Sequence, residues 1–438
     1  MLSRIIIILA VNVILFARTI KFSYVSDDLP TFKNPPKFKN KWHKLLLWLI
    51  ASYKWKTKYD HLMTLIIHAL VGVFIYTAFG MTDISFFTAL LFCVNPANNQ
   101  GSVWISGRGY VLPPLLLLIS LSMPFLAPFT LWAMGYFNLG FVAPLSLIGS
   151  NKAYLLAIMP FIWFFWFKKF RDDVGRKIAF EQADEDRKLH FGKFILAIKT
   201  MGFYATLGLI PFRITFYHSF LQSCAGNDLM KRRGYSMKDK FFWIGLGLIT
   251  LFIYLALQKW TLTTYGLFWF FINILPFSNL KRLQQEIAER YLYTPLIGLM
   301  LALTSLIINY PIIIAIFLTM YIVKFNSIMR MYMDDYWILE TAVIEDHQAW
   351  FAWHMRGIKR WDIGSYKEAL TMWVMAKLIS PKEFKLLYNI AVVLRLLRKD
   401  NEAQEYFNLA LANIIKGQED AVRTLIEEFK QGKMRLLT

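Results

Sequence analysis

Continuous apolar runs recur along the first 325 residues, and a run of about twenty such residues is what one helix needs to cross the hydrocarbon core of a bilayer. With 57% hydrophobic residues in 438, the chain is more apolar than an ordinary soluble domain. The runs do not alternate, which excludes the roughly ten-residue pattern of a membrane β-barrel. The expected fold is therefore all-α and polytopic. Eleven spans are predicted, at about 3–18, 61–80, 84–97, 109–126, 129–147, 153–168, 194–218, 240–257, 262–277, 293–309 and 310–325. Arg4 ahead of the first run suits a signal peptide, but "LFARTIKFS" offers no small-residue cleavage site, so a retained helix is expected. The segment "KWHKLLLWLIASYKWK" (41–56) is too short to span. Its fringe of Lys, Trp and His predicts a helix lying in the membrane interface.

The formal charge of +20 raises the question of nucleic acid, and its distribution answers it. Residues 1–325 carry 33 Lys and Arg against 14 Asp and Glu; residues 326–438 carry 16 against 15. The excess flanks apolar runs rather than one soluble face, so lipid headgroups and phosphate-bearing lipids are the expected partners and nucleic acid is not. The two cysteines, Cys93 in an apolar run and Cys224 in a loop, imply neither a disulfide framework nor a metal motif. The charged loop 168–193 suits the cytoplasm, although 19–60 is equally rich in lysine. With 168–193 inside, the loops 19–60, 98–108, 148–152, 219–239 and 278–292 and the C-terminal region all lie outside. Abundant Lys, Ile and Phe suggest an AT-rich bacterial genome, which would make that side periplasmic and the membrane the inner one.

Beyond the transmembrane domain (1–325) and a connector (326–349), a repeat is visible in 350–438. Trp353, Gly357, Gly364, Tyr366, Ala369, Trp373, Ala376 and Pro381 fall at tetratricopeptide positions, and a shift of 34 gives Leu387, Ala391, Ala403, Phe407 and Ala410. Units at 350–383 and 384–417 with a capping helix at 418–438 would form a short α-solenoid, a docking surface without chemistry of its own.

Four clusters share the outer face: Asp27-Asp28 in "YVSDDLP"; Arg108 in "NPANNQGSVWISGRGY"; Lys152 in "GSNKAY"; and Arg282, Glu289 and Arg290 in "LPFSNLKRLQQEIAERYLYTP". A carboxylate can take the proton of an acceptor hydroxyl as a sugar leaves a lipid phosphate, while Arg or Lys holds that phosphate. Each residue also has a plain structural reading. An acid pair after a span can be a solvated loop or a helix cap. Arg108 and Lys152 can be snorkelling anchors, and Arg290 can pair along a helix with Glu286 or Glu289. His61 and His68 are seven apart on one helical face, the spacing of packed residues rather than of a metal site. No metal is expected.

The order of these segments resembles the tetratricopeptide-repeat membrane O-mannosyltransferases and their bacterial relatives, which are GT-C glycosyltransferases. "YVSDDLP" is similar to that family's acidic pair after the first helix, and "HLMTLIIHAL" to its His-x-x-Asn-x-x-x-His segment, with Thr64 for Asn. "NPANNQGSVWISGRGYVL" resembles its His-Pro…Val-x-Trp-Ile-Ser-Gly-Arg stretch, with Asn95 for His; "LFWFFINILPFSNL" and "AERYLYTPLIGL" match closely. Only "GSNKAY" remains of its Ser-Lys-Glu signature. The resemblance implies a polyprenyl-phosphate sugar donor, with inverting transfer on the non-cytoplasmic face and a first-loop carboxylate as base. It makes Asp27 or Asp28 the catalytic candidate, Arg108, Lys152 and Arg290 the phosphate candidates, and a protein or surface glycan the acceptor. Two other readings stand beside it: a polymerase or ligase using diphosphate-linked glycans, and a membrane-anchored repeat scaffold.

Overall fold

A computed structural model describes residues 1–26, 28, 59–135, 142–163, 190–219, 235–280, 283, 287–414, 427–429, 431–432 and 436–437. The 41–56 segment, Asp27, Arg282, Cys224 and most of 418–438 lie outside the described residues. Among those described, every regular element is helical. Six helices among the described residues are long and apolar enough to cross a membrane: Leu2–Lys21, Tyr59–Ala78, Ile105–Ser122, Lys240–Gln258, Glu289–Ile307 and Pro311–Tyr332. Shorter apolar helices occupy Asp83–Val94, Pro124–Met134, Ala153–Trp163 and Leu262–Phe277. The chain divides into two compact units, one comprising Met1–Glu181, Lys193–Ile214 and Met237–Asp335, the other Gln182–Gly192, Thr215–Ser236 and Tyr336–Thr438.

In the first unit the α-helical cores are α1 (Leu2–Phe16), α2 (Tyr59–Ala78), α3 (Asp83–Val94), α4 (Arg108–Ser122), α5 (Ala127–Met134), α6 (Phe191–Leu209, of which Lys193 onward belongs to this unit), α7 (Lys240–Gln258), α8 (Leu262–Ile274), α9 (Tyr293–Ile307) and α10 (Pro311–Ile328). Helices α2, α4 and α9 are buried along much of their length, whereas α1, α7 and α10 leave large apolar side chains such as Ile14, Trp243, Leu257 and Ile312 exposed. That is the pattern of inner and lipid-facing helices in a bundle.

Without water to drive them together, membrane helices associate through close backbone packing, and small residues permit it. Two glycine pairs do so here. A Cβ on Gly266 of α8 would meet Gly298 O and Ala302 N at 2.6 Å, and one on Gly298 of α9 would meet Gly266 O at 2.4 Å. Likewise a Cβ on Gly202 of α6 would lie 2.0 Å from Phe241 O, and one on Gly245 of α7 would lie 2.0 Å from Ile198 O. Close to the second crossing the buried Lys199 ammonium meets Asp239 at 2.8 Å, and Asp239 also accepts from Phe241 N as the N-cap of α7.

In the second unit, helix α11 (Asp335–Glu345) leads into two hairpins, α12 (Trp350–Asp362) with α13 (Tyr366–Ile379) and α14 (Phe384–Leu396) with α15 (Asp400–Leu411). Asp335 itself belongs to the first unit. Helix α14 begins 34 residues after α12, and α15 begins 34 after α13. Even the turn recurs: Gly364 has φ +79°, and Arg398, the residue 34 later, has φ +61° despite its side chain. In the first hairpin a Cβ on Gly357 would sit 2.2 Å from Trp373 Nε1, whose N–H donates to His354 O at 3.0 Å. In the second, Tyr388, Phe407 and Phe429 form the aromatic core, with Phe407 and Phe429 stacked at 4.1 Å.

Two outcomes follow from this packing. Gly298→Leu should lower the thermal midpoint of the detergent-solubilised protein by a cost on the order of 3 kcal/mol, since the larger side chain has backbone on its far side. An unchanged midpoint would mean that α8 and α9 do not cross at these glycines. In the second unit, burial pushes His354 down to about 4, and the nearby Lys385 ammonium acts in the same direction. The folded state thus refuses a proton that the unfolded chain accepts. The stability this contributes is present above about pH 6.5 and is lost as pH falls toward 4, by on the order of 3 kcal/mol in full. Circular-dichroism melts of wild type and His354→Gln should therefore converge as the pH is lowered through that window.

Candidate active site

The site begins where α1 ends. Its 3-10 extension (Ala17–Lys21) releases an extended stretch that turns at Ser26, whose φ of +53° is unusual for a residue with a side chain. That turn is fastened on both sides. Ser23 N donates to Met333 O at 3.3 Å and Ser26 N to Asp335 Oδ1 at 2.7 Å. Asp28, fully buried, accepts at Oδ1 from Ser106 N (3.0 Å) and Ser106 Oγ (2.6 Å), and at Oδ2 from Val25 N (3.2 Å). Of the acid pair, Asp28 is thus a clasp that holds the loop to the "WISGR" segment. Asp27 lies outside the described residues, but both of its neighbours are fixed.

Trp104 joins this turn to the late loop. Its indole N–H donates to Val25 O at 3.3 Å, and the Arg290 guanidinium lies 5.5 Å over its ring. Tyr110 and Tyr291 present their rings to the same guanidinium at 5.7 and 5.0 Å, and Phe277 stacks on Tyr291 at 4.4 Å. Gln100 Oε1 accepts from Arg290 N (3.3 Å) and Nη1 (3.2 Å). The result is a half-buried cation in an aromatic box, a setting in which each ring face contributes about 0.5–2 kcal/mol. Glu289, one residue earlier, points into the core: it accepts from Asn99 Nδ2, and Asn99 Oδ1 accepts from the Tyr332 hydroxyl.

Arg108 has a different occupation. Buried at the start of α4, it donates through Nε to Thr64 Oγ1 at 2.7 Å and through Nη2 to the carbonyl of Asp60, with the Asp60 carboxylate at 3.2 Å. The Tyr24 hydroxyl donates to Asp60 Oδ2 at 3.2 Å. Burial, then the Asp60 charge, pushes the Tyr24 phenol up to about 12, so it keeps its proton and remains a donor at neutral pH. Asp60, Tyr24, Ser106 and Trp104 are members of the site that reading the sequence did not single out. Asp60 had one visible signal: it stands four residues before Thr64, at the mouth of an apolar run, where an acid looks like an ordinary first-turn residue.

The two histidines differ. His68 Nε2 lies 3.2 Å from Cys93 O, which can only accept, so that nitrogen carries the proton and Nδ1 accepts from the Tyr293 hydroxyl at 2.6 Å. Packed also against Phe16 and Phe92, His68 is a satisfied core residue. His61 is also buried, stacks on Tyr24 at 6.3 Å and 25°, and neither ring nitrogen makes a hydrogen bond among the described residues. Lys152 stands apart. Its backbone N–H donates to Ser150 Oγ in a segment held to α8 by Tyr265–Ser146 and Asn273–Ser146 hydrogen bonds and to the α7–α8 link by Trp260–Gly149, and no described contact brings it to the other candidates. Among the described residues no three His, Cys, Asp or Glu side chains are grouped so as to hold a metal ion. Comparison of the chain with protein-family models, with curated proteins and with solved structures finds no match.

The buried pair generates a test. Removing one member of a buried ion pair strands the other charge and typically costs about 3–5 kcal/mol, whereas removing both costs far less. Arg108→Met should lower the thermal midpoint sharply, and Asp60→Asn together with Arg108→Met should recover much of the loss. A single variant as stable as wild type would mean that the pair does not hold α2 to α4.

Proposed function

We propose that this chain is an integral-membrane glycosyltransferase of GT-C type. It would transfer a hexose, mannose-like, from a polyprenyl-phosphate donor to a hydroxyl of a protein or surface glycan on the non-cytoplasmic face. The reading includes eleven spans, a C-terminal tetratricopeptide array that presents the acceptor, and a bacterial inner membrane with the site facing the periplasm. It requires no metal. One observation carries it: the turn that ends at Asp28 and the caged Arg290 both contact Trp104, so a carboxylate-bearing loop and a fixed cation, 262 residues apart from Asp28 to Arg290, adjoin one side chain. Transfer from a lipid phosphate needs that combination, a base for the acceptor and a cation for the departing phosphate. The 34-residue offset between the helix hairpins supports the repeat reading in the same way.

In the proposed step the acceptor O–H gives its proton to Asp27 while its oxygen attacks the anomeric carbon. The bond from that carbon to the phosphate oxygen breaks with inversion, and Arg290 receives the negative charge left on the lipid phosphate. Asp28 and Ser106 keep the loop in place, and Arg108, matched by Asp60, contributes through the shape of the site rather than as the principal phosphate contact.

Purified protein in nanodiscs, supplied with polyprenyl-phosphate hexoses and a hydroxyl acceptor, tests the assignment. Asp27→Asn should reduce transfer by at least about a hundredfold without changing the melt. Asp28→Asn, whose remaining carbonyl oxygen still accepts from Ser106, should lose less, and Arg290→Gln should weaken donor use. Undiminished transfer by Asp27→Asn would remove the proposed base. A folded wild type inactive across the donors would favour the scaffold reading.

A further inference from the structure

His61 has no part in the step above, and its surroundings give it one. Its ring is 4% exposed, yet neither nitrogen has a hydrogen-bond partner among the described residues. A buried donor or acceptor left unmade costs about 1–3 kcal/mol, so a chain that keeps an imidazole in this state leaves a recognition group unfilled. The ring lies against Tyr24, with the backbone acceptors of Ser23 and Val103 beside it but outside hydrogen-bond geometry, and close enough to Asp28 and Arg108 for their charges to act on it. A neutral imidazole offers one N–H and one lone pair, which complements a hydroxyl group, itself both donor and acceptor.

The local charges select among ligands. Asp28 and the Asp60 carboxylate lie on this side of the site, and the Arg108 charge is matched by Asp60. A phosphate would meet two carboxylates here, whereas a hydroxyl would meet acceptors it can satisfy. The caged Arg290, which lies over the face of Trp104, presents positive charge instead. We infer that His61 is a saccharide-hydroxyl recognition residue, so that the site is bipartite: the lipid phosphate at Arg290 and the sugar hydroxyls at His61. This assignment rests on the donor class proposed above and adds to it which residue reads the sugar.

The test measures binding to the full chain in nanodiscs with three probes: undecaprenyl phosphate, its hexosyl esters, and soluble methyl hexosides. His61→Phe retains a ring for Tyr24 and removes both nitrogens; His61→Gln restores a donor and an acceptor. Wild type should bind a hexosyl ester more tightly than the bare lipid phosphate. His61→Phe should lose about tenfold toward the ester, the worth of a neutral hydrogen bond or two, while its affinity for undecaprenyl phosphate stays within about twofold. His61→Gln should fall between. Equal loss toward both lipids, or no loss toward the ester, would overturn the assignment and leave His61 a packed residue. Wild type that binds neither lipid would overturn the donor reading instead. The methyl hexosides then decide the matter for His61: binding by wild type that His61→Phe abolishes upholds it, and no binding overturns it as well.

Discussion

Two opposite charges buried at the mouth of the bundle hold the candidate site together. Asp60 opens α2 and Arg108 opens α4, and neither can lose its charge cheaply in such surroundings, so each needs the other. Their meeting fixes the register between the two helices. It also recruits Thr64 from the next turn of α2 and Tyr24 from the loop after α1. Once Tyr24 is held, the acid-pair turn two to four residues later has little freedom, and Ser106, two residues before Arg108, is already placed to clasp Asp28. The geometry of the loop is thus a consequence of the ion pair rather than of the loop's own sequence.

The helices were legible because hydrophobic length is a property of a single segment. Runs such as 61–80, 240–257 and 293–309 coincide with α2, α7 and α9 to within a few residues, and the change of character after 325 precedes the helix hairpins. Asp28, Arg108, Arg290, Glu289 and the histidines were visible as candidates because charge and imidazole stand out against an apolar background. Their roles were not, since a role depends on the partner. Nothing local distinguishes Arg108, consumed by Asp60, from Arg290, boxed by Trp104, Tyr110 and Tyr291. His61 and His68 occupy equivalent faces of one helix, yet His68 meets Tyr293 and Cys93 while His61 makes no hydrogen bond among the described residues. Periodicity reports the face and says nothing about the neighbour.

The contrast between the two arginines bears on how a membrane site can keep a cation ready for an anion. A guanidinium beside a buried carboxylate has its charge cancelled, and drawing it toward a phosphate would strand that carboxylate. A guanidinium among ring faces is stabilised by the ring quadrupole, which attracts cations while carrying no net charge. Arg290 lies over the rings of Trp104, Tyr110 and Tyr291, whereas Arg108 is matched to the Asp60 carboxylate. The two cations of the site are thus distinguished by the kind of partner each has.

Trp104 is what places these two regimes side by side. Its indole N–H is committed to Val25 O in the carboxylate-bearing turn, which orients the ring, and the ring face then serves the cation. A phenylalanine there would preserve the aromatic face and lose the orientation; a hydrogen-bonding residue without a ring would do the reverse. Tryptophan is the side chain that does both from one position. The spacing between the turn that carries Asp28 and the Arg290 guanidinium is set by that one indole, so Trp104 is where a change far smaller than unfolding would move the two apart.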